Sequence, residues 1–152
     1  MSPFTVLDHL DTWALSASLR SKRSLLKDGL FPAYLSGRLH KEVRAWKPLA
    51  ATINDIRHLP GANTREIGDI ELIELLPSVE HSWRRREGWA RGQVAIVTNP
   101  CAYVFSGPAA QHLPIGALTL IDQTWPVCCV NWGKSPVIYL VVWIRAKEIR
   151  DE

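Results

Sequence analysis

Long apolar runs are absent from this 152-residue sequence. None approaches the roughly 20 residues that a membrane-spanning helix requires, so no membrane association is expected. The N-terminal stretch Met1-Ser2-Pro3-Phe4-Thr5 has neither the basic n-region nor the apolar h-region of a secretory signal, and a cytoplasmic location is expected. Cysteine is sparse. There are three, an odd number, with Cys128 and Cys129 adjacent, which agrees with a reducing compartment. No CxxC or HxxxH spacing occurs, which argues against a zinc site. Also missing are a glycine-rich phosphate loop, a serine nucleophile elbow and an HExxH helix. Charge is nearly balanced: 18 Lys and Arg against 15 Asp and Glu leave +3, too little to imply nucleic acid by itself.

What is present suits one domain, 1–152, since no repeat, low-complexity tract or linker divides the chain. A chain near this length buries roughly 70% of its unfolded surface. Ten prolines, nine glycines and seven tryptophans suggest many turns and an aromatic-rich core. From about Val6 to Lys27, Leu7, Leu10, Leu15, Leu19, Leu25 and Leu26 lie mostly at helical spacing, with Thr5 available as cap. A second helix is expected from Leu39 to about Ile56, with Val43, Trp46, Leu49 and Ile53 on one stripe and Pro48 able to kink or divide it. The helical part thus spans about 5–57, and its leucine stripes are expected to pack on the domain's own sheet. A β-rich part over about 68–146 follows. Strands are expected at Ile70–Leu76, Val94–Thr98, Ala102–Phe105, Ala117–Ile121, Val127–Val130 and Val137–Ile144, separated by Gly, Pro and Asn. Helices first and short, evenly spaced strands afterwards indicate an α+β chain built on a sandwich or jelly roll. Of Cys128 and Cys129, one is expected in the core and the other half-exposed, because adjacent strand residues face opposite ways.

Several residues recur in a recognisable order. Pro77 closes the first of these strands and His81 follows it; Arg91 and Gln93 precede the strand that ends at Thr98-Asn99-Pro100. Gly116-Ala117-Leu118, Pro126 to Asn131 and Val137 to Val142 complete the series. In order and spacing, Asp69 to about Arg145, roughly half the chain, resembles the aspartyl/asparaginyl β-hydroxylase-like branch of the Fe(II)/2-oxoglutarate-dependent oxygenases. The resemblance implies a double-stranded β-helix, a cupin-like jelly roll, preceded by two N-terminal helices. It also implies roles. His81 stands at the first metal ligand and Trp83 where a carboxylate often lies. Val127 replaces the second His, Val137 the cosubstrate Arg of the last strand, and Tyr139 a His two residues on. Arg91 keeps an upstream Arg that can touch the cosubstrate, with Gln93 in place of its companion His.

Iron in this chemistry needs a facial set of imidazole and carboxylate ligands, and an apolar Val gives a carboxylate no charge-assisted bond. The expected function is therefore a degenerate, non-catalytic relative acting as a binding or structural module, with no cofactor and a dry former metal pocket. The alternative is an active hydroxylase of a peptidyl or free amino-acid side chain, using Fe(II) and 2-oxoglutarate. In that case His81 would ligate iron, Arg91 would bind the cosubstrate and His112 would remain as a second ligand. Either way the partner would be a small molecule or a peptide.

Two basic clusters give a further alternative. Arg84, Arg85 and Arg86 form a run near Arg91, and Arg20, Lys22, Arg23 and Lys27 form a second group. Such runs are commonly solvated, although Arg suits an anion site. With Trp83 and Trp89, the Arg84–Arg91 surface could stack on nucleic acid; the plainer reading has the tryptophans covering the barrel mouth beneath Arg stems. Asp69, Glu71 and Glu74 are expected on the solvent face of their strand.

Overall fold

The computed structural model describes residues 2–26, 29–59, 65–83, 86–122 and 124–146, with Trp83 and Ala146 described by backbone alone. Strand β1 (Phe4–His9) is followed by helix α1 (Trp13–Lys22), which runs into a 3-10 turn at Arg23–Leu25. Strands β2 (Leu30–Leu35) and β3 (Arg38–Leu39) form a hairpin; a 3-10 turn, Lys41–Ala45, leads to helix α2 (Lys47–Arg57). Then come β4 (Arg65–Leu75), β5 (Glu80–Trp83), β6 (Ala90–Val97) and β7 (Ala102–Ser106). The series ends with β8 (Ala109–Gln111), β9 (Ala117–Ile121), β10 (Val127–Asn131) and β11 (Val137–Ala146).

From β4 onward the chain winds between two antiparallel sheets. The larger has the order β1-β9-β6-β11-β4-β2-β3 and the smaller β5-β10-β7-β8. Strands β4, β6, β9 and β11 thus belong to one sheet, and β5, β7, β8 and β10 to the other. This is a double-stranded β-helix, the jelly roll expected from the sequence.

Strand β11 lies between β4 and β6 and is apolar on both faces, as a strand covered on both sides must be. Ile138, Leu140 and Val142 join Ile70, Leu72, Val94 and Ile96 under Leu15, Leu19, Trp46, Leu49 and Ile53 of the helical layer. The alternate residues Val137, Tyr139 and Val141 join Ile73, Leu75, Val104, Val127 and Cys129 between the sheets. Each such buried aliphatic side chain contributes roughly 1.5–3 kcal/mol. Cys129 is buried and Cys128 half-buried, as the alternation predicts.

The N-terminal part departs from expectation. Residues Phe4–His9 form an edge strand, with Thr5 opposite Leu120 and Val6 opposite Thr119, so Thr5 caps nothing and α1 begins after Thr12. Phe4 packs into the inter-sheet core and Leu7 against the helical layer, so strand pairing and burial outweigh the helical spacing. The expected second helix is likewise shorter. Leu39 closes the β2–β3 hairpin, and α2 starts only at Lys47, with Pro48 in its first turn, where a missing N–H costs nothing. No helix of the described residues is long and apolar enough to cross a membrane.

One glycine fixes how β1 enters the barrel. Gly116 has φ +82°, and a Cβ there would lie 2.5 Å from the Leu10 carbonyl oxygen. The Leu10 amide donates to the Gly116 carbonyl at 2.7 Å, so the two backbones are locked together. Gly116→Ala is expected to lower the unfolding free energy by more than about 2 kcal/mol. A urea midpoint matching that of the parent protein would show that the junction yields instead.

Candidate functional site in the barrel mouth

Strand ends from both sheets meet at one end of the barrel. Trp83, the last residue of β5, lies opposite Val127, the first of β10, which lies opposite Ser106, the last of β7. On the larger sheet Arg91 lies between Ile121 of β9 and Trp143 of β11. The Ser106 hydroxyl donates to the Asp122 carbonyl at 3.3 Å and ties the two sheets together here. One step deeper, Gln93 lies between Thr119 and Val141, and Val141 lies beside Glu71.

Glu71 therefore shares the inward face of β4 with Ile73 and Leu75 and is not on a solvent face. Glu74, on the opposite face, pairs with Arg23, and Asp69 pairs with Arg86 at 3.0 Å. The alternation that buries Ile73 and Leu75 carries Glu71 inward with them.

Arg91 is fully buried, at 0% exposure. Its Nε donates to Gln93 Oε1 at 2.9 Å, and Gln93 Nε2 donates to Cys129 Sγ at 3.2 Å, so a polar chain spans the barrel from one sheet to the other. Burial pulls the Arg91 guanidinium down to about 10, against the opposing effects of Cys129, Glu71 and Tyr139. Burial pushes the Cys129 thiol up to about 11 despite Arg91, which leaves it neutral and a poor nucleophile at neutral pH. Burial likewise raises Glu71, with Arg91 opposing. Burial also raises Tyr139, with Cys129 adding and Arg91 opposing. The Tyr139 hydroxyl is buried and has no hydrogen-bond partner among the described residues.

The register brings His81 and Val127, two positions that the resemblance groups as a metal site, onto one face as diagonal neighbours. His81 lies opposite Cys129, and Val127 lies opposite Trp83. Val127 and Val137 are 3% and 0% exposed and belong to the apolar inter-sheet cluster. His112 is elsewhere. Its ring nitrogen lies 2.9 Å from the Ala102 carbonyl oxygen, and its edge meets Tyr103 on the outer face of the small sheet. Tyr103 alternates with the inward Ala102 and Val104, so His112 does not share the barrel with His81. Among the described residues, no three His, Cys, Asp or Glu side chains come together as a ligand set. One imidazole, a neutral thiol and two valines do not fit an Fe(II) site.

His81 is largely exposed, yet partial desolvation first and Arg91 second hold it below the ordinary imidazole value. An NMR titration is expected to place it there, and Arg91→Met to raise it partway, because the partial desolvation remains. The folded chain takes up this proton less readily than the unfolded chain. Stability present above the ordinary histidine range is therefore lost as pH falls through it. A titration unmoved by Arg91→Met would contradict the placement.

The rim is braced by stacked cations and rings. Arg86 sits 5.7 Å from the Trp89 ring centre and 5.4 Å from that of Trp143, and Arg145 lies 4.4 Å over Trp89. Asp69, which pairs with Arg86, also accepts the Ser36 amide at 3.0 Å. Burial raises the Asp69 carboxyl, but the Ser36 amide and Arg86 outweigh it, and the net shift is downward. Trp89 lies so close over Gly68 that a Cβ there would meet its ring at 2.6 Å. Trp89 thus lies at the rim between Gly68 and the guanidiniums of Arg86 and Arg145. Arg84, Arg85 and Lys27 lie outside the described residues, as does the Trp83 side chain. A cleft of about 520 Å³ opens on this rim, with Thr5, Arg86, Trp89 and Asp122 among its walls.

No family model and no curated protein matches this sequence. Solved structures do match in fold. A viral collagen prolyl hydroxylase from Paramecium Bursaria Chlorella virus-1 aligns with a TM-score of 0.62 at 11% identity, over 97% of this chain and 91% of that one. HygX from Streptomyces hygroscopicus, with nickel and 2-oxoglutarate bound, aligns at 0.57 and 8% identity, over 95% and 82%. A Pseudomonas putida prolyl-4-hydroxylase aligns at 0.53 and 12% identity, over 96% and 94%. At such identities the likeness is one of fold: the chain has the double-stranded β-helix seen in 2-oxoglutarate-dependent oxygenases.

Proposed function

We propose that this protein is a metal-independent binding module that holds a small organic carboxylate inside the barrel, between Arg91 and Tyr139. The motif order supports descent beside the aspartyl/asparaginyl β-hydroxylase-like branch, with the catalytic groups lost. The observation that carries the reading is a fully buried guanidinium, hydrogen-bonded to Gln93, close enough to a buried tyrosine hydroxyl for each to act on the other's charge, the hydroxyl having no partner among the described residues. A charge held away from water is costly, and an added counter-charge offsets that cost. A carboxylate would form short charge-assisted bonds to Arg91 and accept a hydrogen bond from the Tyr139 hydroxyl. Val127 and Val137 belong to the apolar core between the sheets.

An active hydroxylase is the competing reading, suggested by the activities of the structural neighbours and opposed by the donor set around His81. A nucleic-acid surface on Arg84–Arg86 is less supported, since Arg86 is already engaged by Asp69 and two tryptophans. Three free thiols, Cys101, Cys128 and Cys129, support a reducing, cytoplasmic setting. Aerobic incubation with Fe(II), 2-oxoglutarate and candidate peptides should give no succinate above background. Succinate formation that disappears in His81→Ala would sink the proposal.

A further inference from the structure

A second concave site lies away from the barrel, on the helix-covered side of the large sheet. Tyr34, Gly37, Arg38, Leu39, Arg44 and Arg57 line a cleft of about 530 Å³. That size is in the range of small-molecule sites. Its three arginines come from three segments: Arg38 from β3, Arg44 from the 3-10 turn and Arg57 from the last turn of α2. No carboxylate lines the cleft, and among the described residues the ion pairs involve other arginines. Three neighbouring cations without a counter-charge repel one another, and an anion of matching charge relieves that repulsion.

The walls are fixed before any ligand arrives. Leu35 and Arg38 pair across the two-residue turn of the β2–β3 hairpin, and the Ser36 amide is held by Asp69. The His40 amide donates to the Ala33 carbonyl at 2.8 Å, and the His40 ring accepts the Glu42 amide at 3.1 Å, which anchors the turn that carries Arg44. The Arg57 guanidinium lies 5.2 Å over the Tyr34 ring.

We propose that this cleft binds an oligophosphate, a chain of two or three phosphate groups, through the guanidiniums of Arg38, Arg44 and Arg57. Planar guanidinium forks match phosphate oxygens in bidentate fashion, and three of them suit a ligand of several negative charges better than a monocarboxylate. Tyr34 is only 8% exposed and one face is taken by Arg57, so no open aromatic platform remains for stacking bases. That favours a phosphate chain over a single-stranded nucleic acid. The site shares no residue with the barrel mouth, so either assignment can fail without the other.

Calorimetric titration of inorganic tripolyphosphate into the full chain, at two salt concentrations, tests this. Saturable one-to-one binding that weakens with salt is expected. Arg38→Ala, Arg44→Ala and Arg57→Ala should each lower the affinity about tenfold, and Arg57→Lys by less, because it keeps the charge but loses the fork. Arg20→Ala, on α1 and outside the cleft, should leave it unchanged. Absence of binding, or affinity untouched by the three alanine variants, would overturn the assignment. Tighter binding of a short single-stranded oligonucleotide would overturn it in favour of a nucleic-acid backbone.

Discussion

Replacing Arg91 with Met and Gln93 with Leu together is expected to raise the unfolding free energy of the ligand-free protein by about 1–3 kcal/mol while abolishing carboxylate binding. The guanidinium is held at about 10, below its ordinary value, because burial penalises its charged form. At roughly 1.4 kcal/mol per unit, that penalty is on the order of 3 kcal/mol. Its sign is destabilising. The penalty is fully present at neutral pH and is relieved only as pH rises above about 10. Arg91→Met alone would strand Gln93 Oε1, which now accepts from Arg91 Nε at 2.9 Å. A buried acceptor without a donor costs about 1–3 kcal/mol, enough to cancel the gain, so the pair must be changed together. The hydrogen bond from Gln93 to Cys129, which the double variant also removes, is made to a neutral sulfur and is weak. Urea unfolding would measure the difference. A less stable double variant would show that Arg91 is a structural cation rather than one retained for a ligand.

Asn131→Ala is expected to lower the unfolding free energy by about 3–4 kcal/mol, the largest loss from a single buried polar side chain in the barrel. Asn131 is fully buried, and each of its side-chain polar atoms works twice. Nδ2 donates to the Leu75 and Ser135 carbonyls, both at 2.9 Å. Oδ1 accepts from Asn99 Nδ2 and from the Gly133 amide, both at 3.0 Å. The side chain thereby joins the end of β4, the β6–β7 turn and the β10–β11 turn. Alanine would strand the Leu75 carbonyl in the core, while water could reach part of the remainder. For a chain of this size the change corresponds to a fall of roughly 6–16 °C in the unfolding temperature. Asn131→Asp should be worse, because a carboxylate cannot donate to either carbonyl. A loss under about 1 kcal/mol in Asn131→Ala would mean that the turns hold themselves.

The β-helix is legible where apolar runs end at hard punctuation. Pro77, Pro100, Gly107-Pro108 and Gly116 bracket β4, β6, β7 and β9 in the sequence, and the structure follows them. Strands β5 and β8 are not legible, since Glu80–Trp83 and Ala109–Gln111 are short and carry little alternation. Strand β1 is hidden for the opposite reason: Leu7 and Leu10 fit a helical stripe, and only pairing with β9 decides between strand and helix. At the site, Arg91 and Gln93 can be singled out from motif order, and both are fully buried in the barrel. The register of His81 on Cys129 cannot, because it depends on two segments nearly fifty residues apart finding one alignment. Glu71 faces inward although its charge suggests solvent, and its spacing from Ile73 and Leu75 is the signal that places it on their face.

The central claim is that the barrel takes an organic carboxylate without metal. Calorimetric titration of 2-oxoglutarate, and of succinate, into protein kept in excess chelator tests it most directly. Saturable one-to-one binding that is insensitive to the chelator and lost in the Arg91→Met, Gln93→Leu variant is the predicted result. Binding that appears only once Fe(II) replaces the chelator, or no binding in either condition, would contradict it.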